Sequence, residues 1–169
     1  AADLCGFRAG TAVFAGIGDA GATTLASGIR GPGQYNINLG TSGWVATVSE
    51  DLLLSEEGVF NLTAAAEDRY INVVPFLNAG NIHKWMAGVL GQAGGAPDYG
   101  TASALLSSSV PGSHGVLCLP YLCGERFPVP DPEIRGCWFG LSPETTAADL
   151  ARSCLEGVAF SLRQGLERL

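Results

Sequence analysis

The sequence predicts an α/β fold, a β-sheet with flanking helices. Three observations carry that expectation: residues of alternating character on either side of a glycine-bounded turn at 40–43, apolar residues at three- and four-residue spacing after Asn78, and a second apolar stripe from Leu150 to Leu169.

Taken in chain order, residues 11–15 read as a short apolar strand that ends in the turn Gly16-Ile17-Gly18-Asp19, and residues 20–27 as a small-residue helix. After Gly31-Pro32-Gly33, residues 35–39 and 44–48 form a β-hairpin around Gly40-Thr41-Ser42-Gly43. Residues 59–64 and 70–76, separated by the charged turn Glu67-Asp68-Arg69, extend it into an antiparallel meander. From Asn78, Ile82, Trp85, Met86, Val89 and Leu90 line one face of a helix. Residues 94–115 are rich in Gly, Ser, Ala and Pro and read as a loop with one short helix. A strand at 116–119 stops at Pro120, and a long loop with Gly124-Glu125-Arg126 runs to Arg135; loops of that length usually line a site. The last helix begins at Pro143-Glu144-Thr145 and reaches Leu169 without a terminating Gly or Pro, the pattern expected of a truncated or clipped chain.

With 169 residues, 47% of them hydrophobic, the chain can build one domain with a real core. Nine basic against 16 acidic residues give a net charge of −7, which argues against nucleic acid as a partner. A single nucleotide is still admissible, because backbone N–H groups hold phosphates locally. The five cysteines are odd in number and form no C-x-x-C pair, so they read as reduced thiols of a cytoplasmic protein. His83 and His114 stand apart from any ligand cluster and read as structural, so the only metal expected is magnesium arriving with a nucleotide. No apolar run approaches the roughly 20 residues that span a bilayer.

Each candidate motif has two readings on its residues alone. Asp19 caps the helix it precedes, or serves as a general base at the C-terminal end of a strand, where α/β clefts open. Gly40-Thr41-Ser42-Gly43 is a hairpin loop, or a cradle of N–H and hydroxyl groups for phosphate. Asn78-Ala79-Gly80 is a helix cap and a close-packing glycine, or a helix start whose free N–H groups face phosphate, with Lys84 one turn on adding charge or merely solvated. Glu125 and Arg126 form a loop-fixing salt bridge, or line a site. Lys84 is the only lysine, so a P-loop is excluded.

In order, five stretches resemble the second domain of the FGGY carbohydrate kinases, in their xylulokinase-like and gluconokinase-like branches. They are Gly16-Ile17-Gly18-Asp19-Ala20, Asn38-Leu39-Gly40-Thr41-Ser42-Gly43, Ala79-Gly80 with Trp85, Pro120-Tyr121-Leu122-Cys123-Gly124-Glu125-Arg126, and Leu155-Glu156-Gly157-Val158-Ala159-Phe160. The resemblance covers nearly the whole chain. It implies an actin-like, ribonuclease-H-like domain with a mixed sheet, truncated before its last strand. Residues 1–31 would be an interdomain crossover and 32–169 an incomplete C-terminal domain. It further implies Asp19 as catalytic base, Gly40, Thr41 and Ser42 as a phosphate-binding turn, and Gly80 with Lys84 as a nucleotide-contacting helix start. ATP with magnesium and a sugar would be the ligands, and the N-terminal kinase domain a missing partner. The family's Asp-Gly-Thr phosphate turn is absent, and Cys154 stands where a smaller or aliphatic residue is expected.

The function expected is therefore ATP-dependent phosphorylation of a sugar hydroxyl by the full-length protein, with this chain alone inactive. A non-catalytic nucleotide-binding or regulatory module on the same scaffold is the competing class. A third reading is an inert domain that homodimerises through an exposed apolar helix face.

Overall fold

A computed structural model describes residues 2–66, 68–90 and 96–169. Its elements are helices α1 (Ala2–Cys5) and α2 (Asp19–Ala26), strands β1 (Tyr35–Leu39), β2 (Gly43–Ser49), β3 (Phe60–Thr63) and β4 (Tyr70–Phe76), helices α3 (Gly80–Val89) and α4 (Tyr99–Ser108), strands β5 (Leu117–Leu119) and β6 (Cys137–Phe139), and helix α5 (Ala147–Leu166). Strands β1 to β4 form one antiparallel sheet in the order β1-β2-β4-β3. Strands β5 and β6 form a second antiparallel pair, and an isolated parallel bridge joins Leu122 to Gly124.

Period-two alternation explains why the central strands β2 and β4 are buried on both faces, while the edge strands β1 and β3 stay largely exposed. Ala46, Val48, Ile71 and Val73 point to one side, where Ala20 of α2 and Ile29 cover them. Val45, Val74 and Phe76 point to the other, against Phe127 and against Leu162 and Leu166 of α5. A third cluster joins Ile82 and Met86 of α3, Ala102 of α4, Cys118 of β5 and Ala151, Cys154 and Val158 of α5. Helix α5 starts at a capping box: Thr146 Oγ1 accepts from the Asp149 N–H at 3.2 Å, and Asp149 Oδ2 accepts from the Thr146 N–H at 3.0 Å. Its apolar stripe is turned into the core.

Several expected elements take another form. Residues 11–15 are not a strand; Val13 and Phe14 are 90% and 87% exposed, and none of the sheet's strands pairs with them. An apolar run becomes a strand only when a neighbour completes its hydrogen-bond ladder. The meander is broken, since β4 inserts between β2 and β3. The short helix expected in 94–115 is the ten-residue α4, while β6 pairs with β5 without having been anticipated. Helix α5 begins after Thr146, not at Pro143. Glu67 of the charged turn and residues 94 and 95 of the loop lie outside the described residues.

Candidate functional site

Helix α2 opens with Asp19 at its first position, because Gly18 supplies an extended N-cap with φ −63° and ψ 163°. The exposed Asp19 carboxylate accepts the Ala20 N–H at 2.8 Å through Oδ1. Asp19 thus sits one residue past the cap position the capping reading expected. Its local role is to bind an unpaired first-turn N–H, and its other oxygen has no partner among the described residues.

The hairpin turn at Gly40, Thr41 and Ser42 is seated on the start of α3. The Gly80 N–H donates to the Gly40 carbonyl at 2.8 Å, and the Asn81 N–H donates to the Thr41 carbonyl at 3.1 Å. Asn81 Oδ1 takes the Ala79 N–H at 2.7 Å and the Ile82 N–H at 3.0 Å. The N–H groups expected to be free for phosphate at this helix start are therefore occupied within the protein, and the cap residue is Ala79 rather than Asn78. Gly80 has a steric reason: a Cβ there would lie 2.5 Å from the Gly40 carbonyl oxygen. Gly43 has a parallel one, with Asn38 O at 2.7 Å and Ala79 Cβ at 3.1 Å. What the turn presents outward is the exposed Thr41 and Ser42, whose hydroxyls have no hydrogen-bond partner among the described residues.

Buried Asn78 and Glu125 tie the long loop to the junction of β4 and α3. Asn78 Nδ2 donates to the Gly124 carbonyl at 2.6 Å and to Glu125 Oε2 at 2.8 Å, and Asn78 Oδ1 accepts the Leu122 N–H at 3.0 Å. Glu125 Oε1 accepts the Leu77 N–H at 2.6 Å and the Arg126 N–H at 2.8 Å. The expected salt bridge is not what Glu125 makes: its carboxylate, 3% exposed, is committed to backbone and amide donors. A buried acid needs such directed donors to offset its lost hydration, and hydrogen bonds to a carboxylate are stronger than those between neutral groups. Gly124, at φ +76°, makes the bend, and a Cβ there would stand 2.6 Å from the Pro132 carbonyl oxygen.

These placements converge on one cleft of about 280 Å³, lined by Asp19, Ser42, Gly43, Trp44, Leu77 and Arg126 among others. Three of the sequence candidates, Asp19, Ser42 and Arg126, thus meet, although they come from three separate stretches of chain. A larger groove of about 520 Å³ adjoins it; Leu77 and Arg126 line both, and Glu125 lines the larger groove alone. Gly80 supports the turn from behind and does not line the cleft; Lys84 is exposed on α3 and does not line it either. Sequence reasoning missed Asn78 and Asn81 as the bolts of the junction, although two amides three residues apart at a helix start are the visible signal. Trp44 packs against the core on one face of the sheet and also lines the cleft. Both histidines read as structural; His114 holds Asp149 at 2.8 Å, far along the chain from the cleft residues. Among the described residues no three His, Cys, Asp or Glu side chains are grouped to hold a metal ion.

The fold and cleft define an α/β domain of the actin-like, ribonuclease-H-like class. Residues 35–169 match the model of the C-terminal domain of the FGGY family of carbohydrate kinases. Xylulose kinase of Klebsiella pneumoniae is 35% identical over 156 residues, 92% of this chain and 32% of that protein. The crystal structure of xylulose kinase from Rhodospirillum rubrum superposes with a TM-score of 0.82 at 29% identity, over 98% of this chain and 33% of the other. That of gluconate kinase from Lactobacillus acidophilus superposes with the same TM-score, 0.82, at 25% identity, over 99% and 34%. The chain belongs to the FGGY family of carbohydrate kinases, and it spans about a third of the length of the curated relatives it matches.

Proposed function

We propose that this chain is the base-bearing half of a sugar kinase that moves the γ-phosphoryl group of ATP to a sugar hydroxyl, with xylulose as the first substrate to test and gluconate the second. The observation that carries the reading is the meeting of Asp19 with the turn residue Ser42 in one cleft. Asp19 accepts the proton of the attacking hydroxyl through its unpartnered oxygen, a role worth ~10²–10⁴ in rate. The hydroxyls of Thr41 and Ser42, with the turn's backbone, hold the phosphates of the nucleotide. Gly80 lets that turn sit on α3, and the exposed Lys84 adds positive charge on the nucleotide's side. The residues fit magnesium that travels with ATP rather than in a protein cage, since among the described residues Asp19 is the one carboxylate lining the cleft. Bound there, the ion would neutralise phosphate charge. Five free cysteines suit a cytoplasmic setting.

The test is Asp19→Asn in the complete protein, assayed for ADP release against a panel of ketoses and aldonates. Turnover is expected to fall at least 100-fold while ATP binding stays within about threefold. Near-wild-type turnover in the variant would remove Asp19 from the role, and no ADP release by the wild type on any sugar would remove the kinase reading.

A further inference from the structure

Five of the nine basic side chains are neutralised: Arg69, Arg135, Arg152, Arg163 and Arg168 each pair with a glutamate. Arg8, Arg30, Lys84 and Arg126 make no ion pair among the described residues, and of these only Arg126 lines the cleft that contains Asp19. Its neighbour Glu125 makes no ion pair with it; that carboxylate binds the Leu77 and Arg126 N–H groups and the Asn78 amide. The Arg126 backbone is also held on both sides. Glu125 is clamped before it, and after it Phe127, 4% exposed, packs edge-on against Phe76 with ring centroids 5.8 Å apart. Two buried anchors therefore fix the backbone from which one exposed guanidinium lines the cleft. In a chain of net charge −7, a guanidinium with no ion pair among the described residues, at the wall of this cleft, has the charge and donor geometry to receive an anion.

We propose that Arg126 binds the non-bridging oxygens of the phosphoryl group that is transferred in this cleft, a role that rests on the kinase reading above. In that step the sugar hydroxyl gives its proton to Asp19 and its oxygen bonds to the γ-phosphorus. The bond from that phosphorus to the β,γ-bridging oxygen breaks, and its electron pair leaves on ADP. Arg126 exchanges neither proton nor electrons; it offsets the charge spread over the equatorial oxygens.

Arg126→Gln and Arg126→Lys in the complete protein test this. Gln is expected to lower kcat by about 100-fold with the sugar KM within about threefold, as for other removed transition-state donors. Lys, which keeps a point charge but not the fork, is expected to recover at least about fivefold of that loss. A loss with Gln below tenfold, or a Lys variant no better than Gln, overturns the proposal, since a purely structural arginine would not be rescued by charge. If wild-type turnover is absent, the kinase reading fails separately, and inorganic phosphate decides for Arg126. Titrated into this chain and followed by amide shifts of residues 41–43, phosphate should bind at least tenfold more weakly to R126Q. Equal binding would overturn the assignment.

Discussion

Glu125 carries a charge into the interior, and its three donors, the Leu77 and Arg126 N–H groups and the Asn78 amide, are what make that tolerable. Glu125→Ala strands all three, and buried donors left without acceptors cost ~1–3 kcal/mol each, less what relaxation recovers. The expected loss is about 3 kcal/mol, read as a lower urea midpoint at unchanged slope. Glu125→Gln keeps an acceptor oxygen and should lose less. Asp149 is a second residue with more partners than its sequence position suggests. Hydrogen bonds from Ser109, Thr146 and His114 hold its carboxyl well below the usual carboxylate range. A carboxyl lowered in the folded state contributes stability above its unfolded pKa of ~3.9 and loses it as the pH falls below that value. Acid unfolding of the wild type should therefore steepen below about pH 4, and Asp149→Asn should flatten that limb while lowering stability at neutral pH. Equal acid limbs in the two proteins would assign the steepness to other carboxylates.

At the level of elements, the contact that builds the site is the hairpin turn against the start of α3. Alanine is the better helix former by about 1 kcal/mol, so Gly80→Ala would stabilise a helix free of neighbours. Here its Cβ meets the Gly40 carbonyl oxygen at 2.5 Å, a backbone atom with no rotamer to retreat into. Overpacking of that kind costs ~1–3 kcal/mol, which outweighs the propensity gain. Gly80→Ala is expected to lower the Tm and to weaken ATP binding in the complete protein, whereas a raised Tm with intact binding would mean that the turn is not held by this contact. The elements that carry this contact were legible beforehand, because hairpin alternation at 35–48 and the helical spacing after Asn78 are local patterns. The contact itself was not, since nothing in either pattern says that Gly40 and Thr41 carbonyls would consume the helix's first N–H groups. The strand expected at 11–15 failed for a related reason: strand formation depends on a partner, and alternation or apolarity cannot report whether one is present. Strand β6, three residues long, exists through its ladder with β5 and has too little pattern of its own to read.

Over the whole molecule, two layers of helix enclose the sheet, and the cleft opens where α2, the β1–β2 turn and the long loop come together. Asp19, Ser42 and Arg126 were each named from short motifs, and their convergence is a product of tertiary packing that no single motif contains. Lys84, named by the same reasoning, is exposed on α3 and lies outside the lining of that cleft. Under the proposed phosphoryl transfer, the cleft brings one carboxylate and one guanidinium to a transition state with negative charge on several phosphoryl oxygens. With a net charge of −7, the chain as a whole opposes that charge instead of offsetting it. Positioning of the sugar hydroxyl in line with the phosphorus is a further requirement, worth ~7–11 kcal/mol when fully met. A cleft this small, with a single candidate base on its wall, does not by itself enclose a sugar and a nucleoside triphosphate. The 169-residue chain alone is therefore expected to give no ADP release above background with ATP, magnesium and xylulose or gluconate, while still folding cooperatively on heating. Sugar-dependent ADP release by the isolated chain would mean that its cleft supplies the alignment and charge neutralisation assigned here to the rest of the kinase.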